Sequence, residues 1–220
     1  MNRKSVRTAV LISGSGTNLQ AFIDQTRDGS LDLDLSVVLS NKPGAAGLQR
    51  AREAGIAVAC VEHSKFPIRE DFDAALIAAL DQYDPELIIL AGFMRILTSV
   101  FIDHFSGRIF NIHPSLLPKY PGLDTHQRAI DAGDAWHGST VHFATEELDG
   151  GTRVIQGRVP VRESDTAETL AARVLAVEHQ IYPQAAALYA SGRLEYRDGH
   201  AWLDGDRLDE PLAFSGSPSD

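Results

Sequence analysis

An asparagine and a histidine two residues apart, Asn111 and His113, are the side chains in this sequence best suited to chemistry. They alternate with apolar residues from Ile109 onward, which predicts a strand with the amide and the imidazole on one face. An amide N–H can donate a hydrogen bond to a developing oxyanion, and a neighbouring imidazole can donate a proton. The pair therefore suits acyl or formyl transfer. The alternative is a strand-end histidine bonded to nearby backbone.

The residues after His113 predict a stiff loop. Pro114 favours an extended conformation at His113 and has no N–H for a strand ladder, so the strand should end there. Pro118, Pro121 and Gly122 restrict the loop further. Open α/β sheets bind ligands outside the carboxyl ends of their strands, so we expect this loop to form one edge of a pocket.

A glycine-rich turn predicts a phosphate site. It joins an apolar run, residues 6–13, to a segment with helical spacing, and it reads Gly14, Ser15, Gly16, Thr17, Asn18. Such a turn aims backbone amides and a positive helix end at its ligand. Leu19 replaces the third small residue of the dinucleotide fingerprint, and no Gly-Lys-Ser/Thr ending is present, so a phosphate monoester fits best. The alternative is a tight turn in which Thr17 caps the helix.

Asp149 and the glycine after it indicate the turn of a hairpin between strands predicted over 135–145 and 153–161. If that hairpin folds back over the end of the Asn111 strand, the carboxylate pairs with His113 and keeps a proton available near neutrality. The alternative is an aspartate that only shapes the turn.

Residues 92–97, Gly-Phe-Met-Arg-Ile-Leu, place Arg95 among large apolar side chains directly after a buried strand. Most such stretches cap a core, but an apolar loop with one charged group also suits a flat aromatic ligand. The position at the carboxyl end of a strand favours the ligand.

Asp165 and Glu168 resemble a capping box, which predicts that a long helix begins there and ends before Gly192. Glu178 lies on an apolar stripe of this helix. An acid on an inward face requires a partner. The partner is either a nearby cation, such as Arg173 or His179, or an amine or hydroxyl of a substrate.

No metal site is predicted. His137 and His142 are an odd number of residues apart on one predicted strand, so they face opposite sides. The sequence has no His-Glu-x-x-His motif, and its only cysteine, Cys60, is expected in the core.

Strand and helix patterns alternate along the first half of the chain, which predicts an α/β fold. The patterns indicate strands over 33–40, 56–61 and 85–91 and helices over 45–54 and 69–83. We expect an open, mostly parallel twisted sheet with helices on both faces and a Rossmann-like, mononucleotide-binding N-terminal half. The predicted division is a phosphate-binding half, 1–106, a catalytic half continuing the same sheet, 107–203, and a flexible tail, 204–220.

Composition limits the classes of function. With 220 residues, 44% of them hydrophobic, the chain can bury a sizeable core. A net charge of -10 argues against binding nucleic acid or anionic membranes through a general basic surface. The sequence has no signal-like segment, long apolar span or disulfide framework, so we expect a soluble, cytoplasmic protein.

Five motifs follow one another along the chain. They are Ile-Ser-Gly-Ser-Gly-Thr-Asn-Leu-Gln (12–20), Leu-Ala-Gly-Phe-Met-Arg-Ile-Leu (90–97), Asn-Ile-His-Pro-Ser-Leu-Leu-Pro-Lys-Tyr-Pro-Gly (111–122), Val-His-Phe with Glu-Leu-Asp-Gly-Gly (within 141–151), and Glu-His-Gln-Ile-Tyr-Pro (178–183). In this order and spacing they resemble the phosphoribosylglycinamide formyltransferase family of purine synthesis. The resemblance covers residues 6 to about 208 and implies the formyltransferase fold.

The resemblance implies that the amine of glycinamide ribonucleotide attacks the formyl carbon of 10-formyltetrahydrofolate, the co-substrate, without a metal or a covalent enzyme intermediate. Asn111 and His113 are implied to stabilise and protonate the tetrahedral intermediate, and Asp149 to tune the histidine. The implied ribonucleotide contacts are Gly14, Ser15, Gly16, Thr17, Asn18, Leu175, Ala176, Val177 and Glu178. The implied folate contacts are Arg69, Met94, Arg95, Ile96, Leu97, Asn111, Thr145, Glu146, Glu147, Leu148 and Asp149.

Three alternatives compete with this interpretation. A formyltetrahydrofolate hydrolase would share the three catalytic groups but is expected to carry an additional N-terminal domain. A methionyl-tRNA formyltransferase is expected to carry an additional basic C-terminal domain. A non-catalytic folate-binding or phosphate-ligand-binding protein would have no use for the three groups together. We therefore expect small-molecule substrates as partners, with the protein a monomer or homodimer.

Overall fold

The structure is a computed structural model that describes residues 5–214. Strands and helices alternate as far as His113, as the sequence predicts. The elements of this part are β1 (Val6–Ile12), α1 (Thr17–Arg27), β2 (Leu33–Ser40), α2 (Ala46–Glu53), β3 (Val58–Cys60), α3 (Arg69–Asp81), β4 (Leu87–Leu90), α4 (Ser99–His104) and β5 (Ile109–His113). They are followed by α5 (Thr125–Asp131), β6 (Trp136–Phe143), β7 (Arg153–Pro160), α6 (Ala167–Ala190), β8 (Leu194–Arg197), β9 (His200–Leu203), β10 (Asp206–Arg207) and β11 (Leu212–Ala213).

Eight of the strands form one sheet in the order β11-β7-β6-β5-β4-β1-β2-β3, and the other three form a small sheet in the order β10-β9-β8. In the larger sheet β1 is parallel to β2 and β4, β2 is parallel to β3, and β4 is parallel to β5. β7 is antiparallel to β6 and parallel to β11. The prediction of an open, mostly parallel α/β sheet is therefore confirmed.

The chain divides into two compact units at Asn111 and Ile112, inside β5. The sequence suggested a division before this strand, between residues 106 and 107. In the first unit the side chains of residues 9–12, 37–39 and 87–89 are completely buried. Near-continuous apolar runs of this kind are typical of parallel strands that are covered on both faces. The buried polar residues Ser13 and Asn41 follow directly after β1 and β2.

The second unit packs the long helix α6 on β7. A Cβ at Gly157 would lie 2.1 Å from Cγ1 of Val177, so only glycine allows the helix to approach the strand this closely. Val174 and Ile181 are also buried on this helix. The β8–β9 hairpin that follows turns at Asp198 and Gly199.

One predicted helix start is wrong, and the alternative considered for another does not hold. Gly16 occupies the N-cap position of α1, so Thr17 is the first residue of the helix and does not cap it. Thr166 caps α6 through reciprocal hydrogen bonds with Thr169, and not through the predicted pair of acids. The carboxylate of Asp165 instead accepts hydrogen bonds from Arg173, from the Arg162 N–H and from the Thr169 hydroxyl.

Two further predictions, the burial of Cys60 and a flexible tail from residue 204, differ from the structure. Cys60 is exposed, not in the core, because β3 is the edge strand of the large sheet. Strand pairing continues into the predicted flexible tail, since β10 pairs with β9 and β11 with β7. The same prediction for residues 215–220 lies outside the described residues. No helix within residues 5–214 has both the length and the apolar character that crossing a membrane requires.

Candidate active site

The glycine-rich turn predicted to bind phosphate joins β1 to α1. Gly16 has φ +71°, a left-handed conformation that favours glycine. A Cβ at Gly16 would also lie 2.8 Å from the Cα of Gly47 in α2, which is closer than any side chain tolerates. The turn therefore requires glycine here both for its backbone angle and for the close approach of α2.

Helix α2 binds the carbonyl oxygens of this turn. The N–H of Gly47 donates to the Gly14 carbonyl at 3.0 Å, and Nε of Arg50 donates to the Ser15 carbonyl at 2.8 Å. The first turn of a helix has N–H groups without an intrahelical acceptor, and they carry the positive end of the helix dipole. Because α2 binds the carbonyl oxygens of the turn, these oxygens do not repel an anion that binds to the N–H groups at the start of α1.

A cavity of about 300 Å³ lies against the turn, lined by Ser13, Gly14, Ser15, Gly16, Thr17, Asn18, Lys42, Ala91, Gly92 and Met94. The five residues of the predicted phosphate loop thus share one cavity with Met94 of the predicted folate loop. Lys42 adds a positive charge that was not predicted from the sequence. The sequence could have indicated this role of Lys42 only through its position just after the carboxyl end of β2, the strand next to β1.

Residues 92–97 leave the end of β4 with two apolar side chains exposed to solvent. Met94 is 68% exposed and Ile96 is 52% exposed. The Met94 N–H donates to Oγ of Ser13 at 2.8 Å, which fixes the first part of the loop. The guanidinium of Arg95 lies over the ring of Phe72, 5.4 Å from its centroid. Exposed apolar side chains on a backbone held in place are suited to a flat ligand.

The other residues predicted to contact folate lie on two segments. Arg69 is the exposed first residue of α3, and Leu97 is buried. Thr145, Glu146, Glu147 and Leu148 belong to the connection from β6 to β7, where Thr145 is half-buried and the other three are exposed. Their contact with folate stays a prediction.

His113 ends β5 and pairs with Asp149. Nδ1 of the histidine lies 3.3 Å from Oδ2 of the aspartate, and the two side chains are 8% and 6% exposed. Nε2 of the same ring lies 2.8 Å from the carbonyl oxygen of Tyr120. Because both neighbours are acceptors, the doubly protonated imidazolium can donate to each of them. This is the protonation state that a general acid requires.

The backbone directs the Asp149 carboxylate inward. Its φ of +55° lies in the left-handed region, which aspartate tolerates better than most residues. Oδ2 accepts a hydrogen bond of 2.9 Å from the Gly122 N–H, and Oδ1 lies 3.9 Å from Nε2 of His142. Burial lowers the pKa of His142, whose Nδ1 lies 3.0 Å from the Phe143 carbonyl. A neutral His142 forms no ion pair with Asp149.

Asn111 precedes His113 by two residues on β5. Strand alternation therefore places the amide and the imidazole on one face, with Asn111 half-buried between the buried residues Phe110 and Ile112. The predicted strand and its end at His113 are confirmed. The catalytic roles of the two side chains stay predictions.

Glu178 faces inward from α6. Its side chain is buried, and Oε1 lies 3.1 Å from Oγ of Ser139 on β6. The same hydroxyl lies 2.8 Å from the His113 carbonyl oxygen, so its single proton can serve only one of the two at a time. Arg173, one of the two suggested cationic partners of Glu178, binds Asp165 instead.

The three residues before Glu178 have different surroundings. Val177 is buried, Leu175 is half-buried and Ala176 is exposed. The helical repeat of about 3.6 residues per turn explains the difference, because it spreads consecutive side chains around the helix. Their contribution to ribonucleotide binding stays a prediction.

Two histidines near the end of β5 form a pair that the sequence did not reveal. Nε2 of His137 lies 3.2 Å from Nδ1 of His126. Burial, and then the charge of His126, lower the pKa of His137 to about 4, and burial also lowers the pKa of His126. Both rings are therefore neutral at pH 7. In residues 5–214 no group of three or more His, Cys, Asp or Glu side chains is arranged to hold a metal ion.

The family model described as Formyl transferase matches residues 6–186 of this chain. The chain therefore belongs to the formyl transferase family. It is 51% identical over 199 residues to phosphoribosylglycinamide formyltransferase of Escherichia coli (strain K12), which covers 90% of this chain and 94% of the relative. The corresponding protein of Haemophilus influenzae is 48% identical over 202 residues, 92% of this chain and 95% of the relative.

Solved structures give the same result. A structure of phosphoribosylglycinamide formyltransferase from Coxiella burnetii superposes with a TM-score of 0.91 and 47% identity, covering 96% of this chain and 99% of that one. Within the wider family the chain thus belongs with the phosphoribosylglycinamide formyltransferases.

Proposed function

We propose that this chain transfers the formyl group of 10-formyltetrahydrofolate to the amine of N1-(5-phospho-D-ribosyl)glycinamide, in de novo purine biosynthesis. The family match supports the reaction class, and the names of relatives at 51% and 48% identity support the acceptor. The observation that carries the proposal is the buried pair of His113 and Asp149, two residues along β5 from Asn111.

The reaction is a direct attack. The substrate amine adds to the formyl carbon of the folate, the carbonyl oxygen becomes an oxyanion, and the bond from that carbon to N10 of the folate then breaks. The attacking nitrogen loses one proton and N10 gains one, so the products are the N-formyl ribonucleotide and tetrahydrofolate. The amide of Asn111 and an N–H of His113 stabilise the oxyanion. Asp149 stabilises the charged imidazole.

The two nitrogens of His113 have different roles in this scheme. Nδ1 faces Asp149, so Nε2 is the nitrogen that donates to the formyl oxygen. Nε2 also lies 2.8 Å from the Tyr120 carbonyl. The formyl oxygen must therefore replace that carbonyl as the acceptor when the substrates bind.

Substrate binding is assigned to the other predicted residues. The peptide N–H groups of Gly14, Ser15, Gly16, Thr17 and Asn18 bind the phosphate, with Lys42 as an added cation. Glu178 accepts a hydrogen bond from the amine end of the ribonucleotide, next to Leu175, Ala176 and Val177. The folate contacts Arg69, Met94, Arg95, Ile96, Leu97, Asn111, Thr145, Glu146, Glu147, Leu148 and Asp149. The small molecules are the expected partners, and no metal takes part.

One assay separates the proposal from its alternatives. The protein is mixed with 10-formyltetrahydrofolate, with and without the ribonucleotide, and deformylation of the folate is followed. Consumption only in the presence of the amine, with one formylated product for each tetrahydrofolate, is the expected result. Consumption without the amine would identify a hydrolase, and no consumption in either mixture would identify a binding protein.

The setting of the activity is part of the proposal. We place the enzyme in the cytoplasm as a monomer or homodimer. Light scattering at assay concentration distinguishes the two oligomeric states.

A further inference from the structure

A buried carboxylate in the first unit has no role in the reaction described above. Asp73 lies on α3 and is completely buried. Its Oδ2 accepts two hydrogen bonds from Thr98, 2.6 Å from the backbone nitrogen and 2.7 Å from Oγ1. Its Oδ1 is also buried, and it has no hydrogen-bond partner within residues 5–214.

Asp73 is held mainly by Thr98, with Arg95 as a more distant positive charge. Burial raises the pKa of Asp73, and the hydrogen bonds from Thr98 and the positive charge of Arg95 offset part of that rise. Nε of Arg95 is buried and has no hydrogen-bond partner in the part of the chain that the structure describes. The guanidinium packs on Phe72, which precedes Asp73 on α3.

Arg95 and Thr98 enclose the segment that bears Ile96. Thr98 is the N-cap residue of α4, but its side chain makes no capping bond, and its hydroxyl donates to Asp73. At the other end of the loop, Met94 N–H donates to Oγ of Ser13. The backbone from residue 94 to 98 is thus attached to buried polar groups at both ends, while Met94 and Ile96 stay exposed.

We propose that Asp73 is a positioning residue for the folate, which holds residues 95–98 in the conformation that presents Met94 and Ile96 to the flat ring. This inference rests on the proposed function, because the folate contacts of residues 94–97 are part of it. A loop fixed in its bound conformation gains affinity because less conformational entropy is lost on binding. Asp73 acts through Thr98 on residues 95–98, whereas the backbone of Met94 next to the phosphate loop is held separately by Ser13, so the effect should fall mainly on the folate.

The test compares Michaelis constants for the two substrates in full-length variants. Asp73→Asn keeps an oxygen for Thr98 but removes the negative charge. It should raise KM for 10-formyltetrahydrofolate about tenfold, the scale of one charged hydrogen bond, and leave KM for the ribonucleotide within about twofold. Asp71→Asn is the matched control, since Asp71 is an exposed acid on the same helix. It should match the wild type in both constants.

Two variants at Thr98 keep the test decisive if Asp73→Asn does not fold. Thr98→Val removes only the hydroxyl donor and should raise KM for the folate about threefold, roughly half the free energy of a tenfold effect. Thr98→Ser keeps the hydroxyl and should restore the wild-type value. Thermal unfolding of each variant shows whether the fold is intact.

The outcomes separate the two proposals. A selective rise in KM for the folate supports the positioning role. Unchanged constants in Asp73→Asn and Thr98→Val, or an equal rise for both substrates, would overturn it. Failure of the proposed function has a different signature, because the wild-type enzyme itself would then transfer no formyl group.

Discussion

Nδ1 of His113 and Oδ2 of Asp149 lie 3.3 Å apart, and both side chains are buried. A close carboxylate favours the charged imidazole, and ions in solution screen a buried pair only weakly. Each member has a second backbone contact, His113 with the Tyr120 carbonyl and Asp149 with the Gly122 N–H. These contacts fix the orientation of the imidazole ring and of the carboxylate.

Replacing Asp149 with asparagine should lower kcat about 10²- to 10³-fold and change the pH–rate profile, because a neutral amide no longer stabilises the charged imidazole. The measurement is the pH dependence of kcat for formyl transfer. Asp131→Asn, at an exposed carboxylate on α5, is the control and should behave as the wild type. A wild-type profile in Asp149→Asn would leave this residue as a turn former only.

Replacing Lys42 with methionine should raise KM for the ribonucleotide about 10- to 100-fold and leave KM for the folate unchanged, because a charged hydrogen bond to the phosphate is lost. Steady-state kinetics with each substrate varied in turn measures both constants. Lys65→Met is the control, since this exposed lysine pairs with Glu62. An unaltered KM for the ribonucleotide would remove Lys42 from the phosphate site.

Replacing Gly16 with alanine should lower the free energy of unfolding by about 2–4 kcal/mol, because the left-handed conformation and the contact with Gly47 both oppose a Cβ. Denaturant unfolding measures the change. Gly14→Ala is the matched control in the same turn, since a Cβ there would meet nothing within 4 Å. Equal stability of the two variants would contradict the account of this turn.

Protonation of His137 should destabilise the fold in acid. Its pKa is about 4 in the folded protein against a usual 6.5, so between these values the unfolded chain binds more protons. The free energy of unfolding should therefore fall by about 3 kcal/mol as the pH drops from 6.5 to 4, and it should be fully regained above 6.5. Urea unfolding at several pH values in this range measures the free energy of unfolding.

His137→Gln should remove this part of the acid sensitivity, because glutamine does not titrate. The wild-type protein, unfolded at the same pH values, is the reference. The same slope in His137→Gln as in the wild type would refute the assignment.

Much of this fold could be predicted because its parallel strands are short apolar runs separated by helical spacing. The face shared by Asn111 and His113 follows from strand alternation alone, and the glycine-rich turn follows from local sequence. Each of these two features is determined by residues that are close together in the sequence. The pairing of Asp149 with His113 could be predicted only on the condition that the hairpin bearing Asp149 folds back over β5.

Other features depend on contacts between distant residues, which leave no local pattern. Asp73 and Thr98 are separated by 25 positions, and nothing in either segment marks the other as a partner. Lys42 resembles any surface lysine until β2 is placed beside β1. Cys60 was expected in the core because an apolar run does not reveal whether its strand lies at the centre or the edge of a sheet.

The central claim is that His113 performs the chemistry and does not merely hold a ligand. The most direct measurement is the single-turnover rate of formyl transfer by His113→Ala, made alongside the dissociation constants of both substrates. We expect the rate to fall by about 10²- to 10⁴-fold while both substrates still bind within a few fold of the wild type. A near-normal rate in this variant would contradict the account.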